Sequence, residues 1–163
     1  MTEISFYHLE HIPWERVLPK QLATALERGW RCVVQVGTEA RVEEVSELLW
    51  KSEADVFLTH GTKADGKAAQ QPIWLTAETE NPNAANVRFF IEGAPVAEVA
   101  GLTRAVILFD GHDEAAVARA REDWKRFKAQ GFEISYYQQD ENNRWVNKSR
   151  SADQDSATTP SDQ

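Results

Sequence analysis

The chain has 163 residues and a formal net charge of -8, with 42% hydrophobic and 27% charged residues. That length holds one domain, or one domain and a tail, with enough apolar residues for a real core. The acidic balance disfavours tight binding of long nucleic acid, and no apolar run approaches the ~20 residues that span a bilayer.

Residues 4–9, Ile-Ser-Phe-Tyr-His-Leu, read as the strand that starts a sheet. The chain before them has Glu3 where a secretory signal needs a base, so the protein reads as cytoplasmic. Pro13 and Pro19 follow; Pro19 is placed at the first position of a helix whose apolar face is Leu18, Leu22, Ala25 and Leu26, and Gly29 ends it. Residues 32–36 form a second strand. Its Cys32 is the only cysteine, which excludes an internal disulfide or a multi-cysteine metal site and reads as a small buried hydrophobe. Thr38 suits the cap of a helix with Val42, Val45, Leu48 and Leu49 inward. Residues 56–58 read as a short strand, and 61–72, rich in Gly, Ala, Lys and Gln, as an exposed loop.

Strands follow at 73–76, 87–91 and 103–109. Asp110-Gly111-His112-Asp113 leads into a last helix over 113–130, Gly131 marks its exit, and 132–137 make the last strand. Strand–helix alternation predicts a three-layer, Rossmann-like α/β domain with a mostly parallel sheet over residues 1–150. Residues 151–163 have no large apolar side chain and read as a disordered acidic tail.

The glycine motifs that hold nucleotide phosphates are missing. The first strand–helix turn is His11-Ile-Pro-Trp-Glu, whose proline removes a backbone donor that a phosphate needs. No cofactor or metal is expected. Asp110, His112 and Asp113 stand where α/β enzymes place catalytic groups, so a small enzyme centred on them is one alternative; a plain turn and helix cap is the other. No G-x-S-x-G occurs, and His8 and His11 make a poor ligand pair.

The last helix carries the sharper signal. At 100° per residue from Val117, Arg121, Trp124, Lys125 and Lys128 project at about 40°, 340°, 80° and 20°, beside a buried stripe of Ala116, Ala120 and Phe127. Residues 119–128 hold five Arg or Lys against two Asp or Glu. This is either a solvated face with an aromatic at the core margin, or a grip for a short peptide bearing carboxylates. A direct single-stranded DNA binder needs a longer basic groove with several stacking aromatics. Trp50 follows Leu48 and Leu49, and three successive large apolar residues cannot all face one core. With Phe57 it marks either a covered sheet edge or an anchor for another protein.

At these residues the sequence resembles the chi subunit of bacterial DNA polymerase III, a clamp-loader accessory subunit. Ala120-Arg-Glu-Asp-Trp-Lys-Arg-Phe-Lys-Ala-Gln-Gly-Phe132 is similar to that family's last-helix motif, with a tyrosine more familiar where Trp124 stands. Ser5-Phe6-Tyr7, the run over 29–36, Leu48-Leu49-Trp50, Phe57 with His60, and Pro72-Ile73 continue the likeness over residues 3–137. The resemblance implies a non-catalytic adaptor that links single-stranded-DNA-binding protein to the clamp-loader complex. In it, Arg121, Trp124, Lys125 and Lys128, with Val117 at the apolar margin, would receive that protein's acidic, phenylalanine-terminated tail. Trp50 and Phe57 match the area where chi docks on the psi subunit. The loop over 61–71 and the extension beyond Tyr137, with Arg144, Trp145, Lys148 and Arg150, depart from the family.

Overall fold

A computed structural model describes residues 2–52, 58–96 and 98–148. The elements in chain order are β1 (Glu3–Leu9), α1 (Trp14–Glu27), β2 (Cys32–Gln35), α2 (Glu39–Trp50), β3 (Ile73–Thr76), β4 (Val87–Phe90), β5 (Arg104–Asp110), α3 (Glu114–Ala129), β6 (Glu133–Gln139) and β7 (Trp145–Asn147). Among the described residues the strands form one sheet in the order β3-β2-β4-β5-β1-β6-β7. All neighbours run parallel except β6 and β7. This is the three-layer α/β architecture that the strand–helix alternation predicts.

Side-chain alternation along the strands builds a core on each face. Leu9, Val34, Val106 and Leu108 meet Leu18, Leu22 and Val42 of α1 and α2 on one side. On the other, Ile4, Phe6, Ile107 and Phe109 meet Ala120 and Phe127 of α3. The outer part of that second face is closed by the connection between β3 and β4 instead. There buried Arg88 donates to the Gln35 side chain (2.9 Å) and to the carbonyls of Glu80 and Glu78 (2.7 Å each).

Three local expectations change, and a fourth lies mostly outside the described residues. The first helix begins at Trp14, with Pro13 as its cap, so Pro19 lies inside it rather than at its start. The Pro13 carbonyl receives the amides of Arg16 and Val17 and sets the first turn, while Pro19 is buried with Val17 and Leu18. Thr38 holds the cap position of α2, but its hydroxyl accepts no cap bond. In the 61–72 loop, Gly61 and Thr62 are buried and Gly61 bridges to Trp74. The strand expected over 56–58 falls mostly outside the described residues; Leu58, which is described, is buried without strand pairing. The tail over 151–163 also lies outside them.

Strand β7 had no sequence signal. Its three residues pair along the far edge of β6, and Trp145 packs edge-on against Tyr7, ring centres 5.0 Å apart. Tyr7 and Trp145 belong to the core shared with α1 and α2. The described part of the extension therefore lies away from the α3 face.

Candidate functional site

Local chemistry sets α3 in place. The Asp113 carboxylate accepts the amides of Ala115 (3.0 Å) and Ala116 (3.3 Å), which fixes the helix start. Gly131 ends the helix at φ 86°, a left-handed turn that glycine adopts without a Cβ penalty. Between these stops Ala120 and Phe127 are buried and Ala116 is half-buried, as the wheel requires.

Trp124 and Val117 are half-buried at the margin of the α3 core, beside Phe132, Ile134 and Tyr136. Arg121, Lys125 and Lys128 are exposed. The Lys128 ammonium lies 4.5 Å from the centre of the Trp124 ring, within reach of a cation–π attraction. Among the described residues none of these three cations forms an ion pair. Arg126 is different. It donates to the Val96 carbonyl (2.5 Å) and to Asp123 (3.1 Å), and its guanidinium lies over Phe127, so it ties α3 to the segment after β4. Burial raises the Asp123 carboxyl above its ordinary range, against the pull of Arg126.

Two residues on the strands beneath α3 belong to the same neighbourhood. His8 Nδ1 and the Tyr136 hydroxyl are 2.8 Å apart, and His8 Nε2 lies 3.3 Å from the Glu10 carboxylate. The Arg121 charge acts on both rings. Burial, the largest cause, lowers the His8 imidazole below its usual value, and Arg121 adds to that, while Glu10 opposes it. The sequence offered one clue, that residues 8 and 136 fall on alternating positions of two strands. Their pairing needed the register of β1 against β6.

The other candidate, Asp110 and His112, lines an open cleft of about 1120 Å³ at the carboxyl ends of β1, β4 and β5. Some of its polar groups serve the turn. Asp110 accepts the His112 amide (2.8 Å), His112 Nε2–H donates to the Glu10 carbonyl (2.8 Å), and Asp113 caps α3. Glu10, Glu15, Glu92, Asp110, Asp113, Glu122 and Asp123 line the cleft against Arg119 and Arg126. Acids also stand in the first turns of α1, α2 and α3, where a phosphate would otherwise find the positive helix ends. This edge repels anions.

Trp50 is 51% exposed. It sits 4.3 Å from the ring of buried His60, whose Nδ1–H donates to the Leu58 carbonyl (2.8 Å) and whose Nε2 takes the Ser46 hydroxyl (2.9 Å). Phe57 lies outside the described residues. Among the described residues no group of His, Cys, Asp and Glu is arranged to hold a metal ion, and no helix is long and apolar enough to cross a membrane.

Comparison with known proteins agrees with this architecture. A protein of Rickettsia prowazekii (strain Madrid E) named a probable DNA polymerase III subunit chi is 25% identical over 109 residues, 67% of this chain. The match spans 66% of that relative, just under two thirds of its length. The family described as DNA polymerase III chi subunit, HolC, matches residues 1–135, and the chain belongs to that family.

Proposed function

We propose that this chain is a non-catalytic replication adaptor, which captures the acidic C-terminal tail of single-stranded-DNA-binding protein and links it to the clamp-loader complex. The observation that carries this reading is the set of three cations, Arg121, Lys125 and Lys128, which form no ion pair among the described residues and stand on the α3 face that carries half-buried Trp124. A terminal phenylalanine packs on Trp124 and Val117, and the tail carboxylates pair with the cations. Charged hydrogen bonds of this kind contribute about 1.5 to 3 kcal/mol each, less where water screens them. An affinity near the micromolar level, about -8 kcal/mol, follows once ordering of the tail is subtracted. Weak capture lets the polymerase shift its grip as coated strand is consumed.

The adaptor reading also assigns exposed Trp50, over the rigidly bonded His60, to the docking of a psi subunit. It gives the Asp110 and His112 turn a structural part, in which Asp110 Oδ1, His112 Nε2 and the Asp113 carboxylate serve the backbone. Direct contact with single-stranded DNA ranks below tail capture, since one compact patch offers few stacking aromatics.

Titration calorimetry with a synthetic peptide rich in aspartate and ending in phenylalanine tests the site. Arg121→Ala is expected to abolish measurable binding while the circular dichroism spectrum stays native. Unchanged affinity would show that the tail does not use this face.

A further inference from the structure

The cleft at the carboxyl ends of β1, β4 and β5 plays no part in tail capture. We propose that it is a docking groove for a lysine- or arginine-rich segment of a protein partner, held in extended form between apolar walls and an acidic rim. This assignment does not depend on tail capture.

The two flanks of α3 differ in sign. Arg119, Glu122, Asp123 and Arg126 project at about 200°, 140°, 240° and 180° from Val117, across the buried stripe from the cationic face. These four side chains line the cleft. The chain entering α1 adds half-buried Ile12 and Trp14 and exposed Glu15, and Ala94 and Pro95 follow β4. Trp14, Glu15 and Glu92 also line a smaller groove of about 230 Å³ against Val45 and Leu48, so the concave surface continues from the cleft toward α2.

Among the described residues, eight acids and three arginines line the two concavities. Two of those arginines are already engaged, Arg41 with Glu44 and Glu92, and Arg126 with Asp123 and the Val96 carbonyl. Glu15 and Glu122 are exposed and form no ion pair among the described residues. A rim of this sign attracts lysine and arginine side chains and turns phosphates away. The half-buried indole of Trp14 and the apolar Ile12 and Pro95 give a peptide contacts that a bare cation would not use. At about 1120 Å³ the open cleft exceeds the usual small-molecule site of about 300 to 1000 Å³, which fits an extended chain. One helix thus offers a basic flank and an acidic flank to different segments.

The test is fluorescence anisotropy of the full chain with a labelled, end-blocked peptide of about eight residues that alternates lysine and leucine, in about 0.1 M salt. Saturable binding is expected. The double variant Glu15→Gln, Glu122→Gln is expected to weaken it about fivefold. Glu43→Gln with Glu47→Gln removes the same charge from the exposed side of α2, outside both concavities, and should change affinity by less than about 1.5-fold. Equal weakening in the two double variants would mean attraction by net charge only and overturns the groove. Absence of saturable wild-type binding, or full affinity in the first double variant, also overturns it. Should a variant lose its native circular dichroism, amide shifts of the isotope-labelled wild-type chain decide. Peptide-induced shifts at residues 12–15, 93–95 and 119–123 support the groove, and shifts confined to other residues overturn it.

Discussion

The ammonium of Lys128 sits 4.5 Å over the centre of the Trp124 indole, one turn further along α3. That contact holds the lysine beside a half-buried ring instead of leaving it to sweep through solvent. Large aromatics with adjacent cations dominate binding surfaces, and truncating one commonly costs about 2 kcal/mol or more. Trp124→Ala is therefore expected to weaken the acidic peptide about 30-fold. Trp124→Tyr, which keeps a ring over the same margin, is expected to retain most of the affinity. Calorimetry of the two variants checks both.

Salt separates the charged part of the site from the apolar part. The Debye length falls from about 10 Å at 0.1 M to about 3 Å at 1 M, so exposed pairs lose most of their attraction over that range. Peptide affinity is expected to fall about tenfold, and the double variant Lys125→Gln, Lys128→Gln should flatten the dependence. Fluorescence anisotropy across a salt series measures it. A wild-type curve as flat as the variant's would remove these lysines from the site.

Arg126 lies on the same helix yet serves the fold. Its bond to the Val96 carbonyl joins α3 to the segment after β4, and its charge meets Asp123. Arg126→Ala is expected to cost about 1 kcal/mol in urea unfolding, discounted because the side chain is 44% exposed. Peptide affinity should change by less than about twofold. A loss as large as that of Arg121→Ala would erase the distinction between the two arginines.

Arg88 carries the largest predicted stability effect. Burial lowers its pKa, with Glu80 opposing, and its three donors hold Gln35 and the carbonyls of Glu78 and Glu80. Arg88→Met removes those donors and leaves the buried Gln35 side-chain oxygen without its donor, for an expected loss of about 3 kcal/mol by urea denaturation. The proposed peptide site, on the other side of β5, should bind normally in the folded fraction.

Burial raises the Cys32 thiol to about 12. The thiolate that attacks disulfide reagents is therefore scarce in the native state near pH 8. Labelling by a thiol reagent should proceed only as fast as the protein unfolds. A folded pKa above the ordinary 9.0 gives stability that is whole below that pH and is lost as pH rises toward about 12. Rapid labelling without denaturant would contradict the closed packing around β2.

The helix boundaries show where sequence reading succeeds. Asp113 and Gly131 bracket α3 because a carboxylate and a left-handed glycine act on neighbouring backbone groups. Pro19 misled the reading of α1, since a proline favours a helix start but tolerates a place inside when burial and a preceding turn hold it. Strand β7 was illegible: three residues at an edge are too few for a period, and Trp145 gains its meaning from Tyr7, far away in the chain.

From the sequence alone, α3 had to present Arg121, Trp124, Lys125 and Lys128 together. A helix repeats every 3.6 residues, and Ala120 and Phe127 must face inward. What lies beneath that face was a different matter. His8 and Tyr136 are 128 residues apart, and they meet because β1 pairs with β6 in one register, under a helix arriving from β5. Helical periodicity is a local property of neighbouring residues, whereas strand order and register depend on backbone hydrogen bonds between distant segments, so only the folded sheet could join the histidine to the arginine.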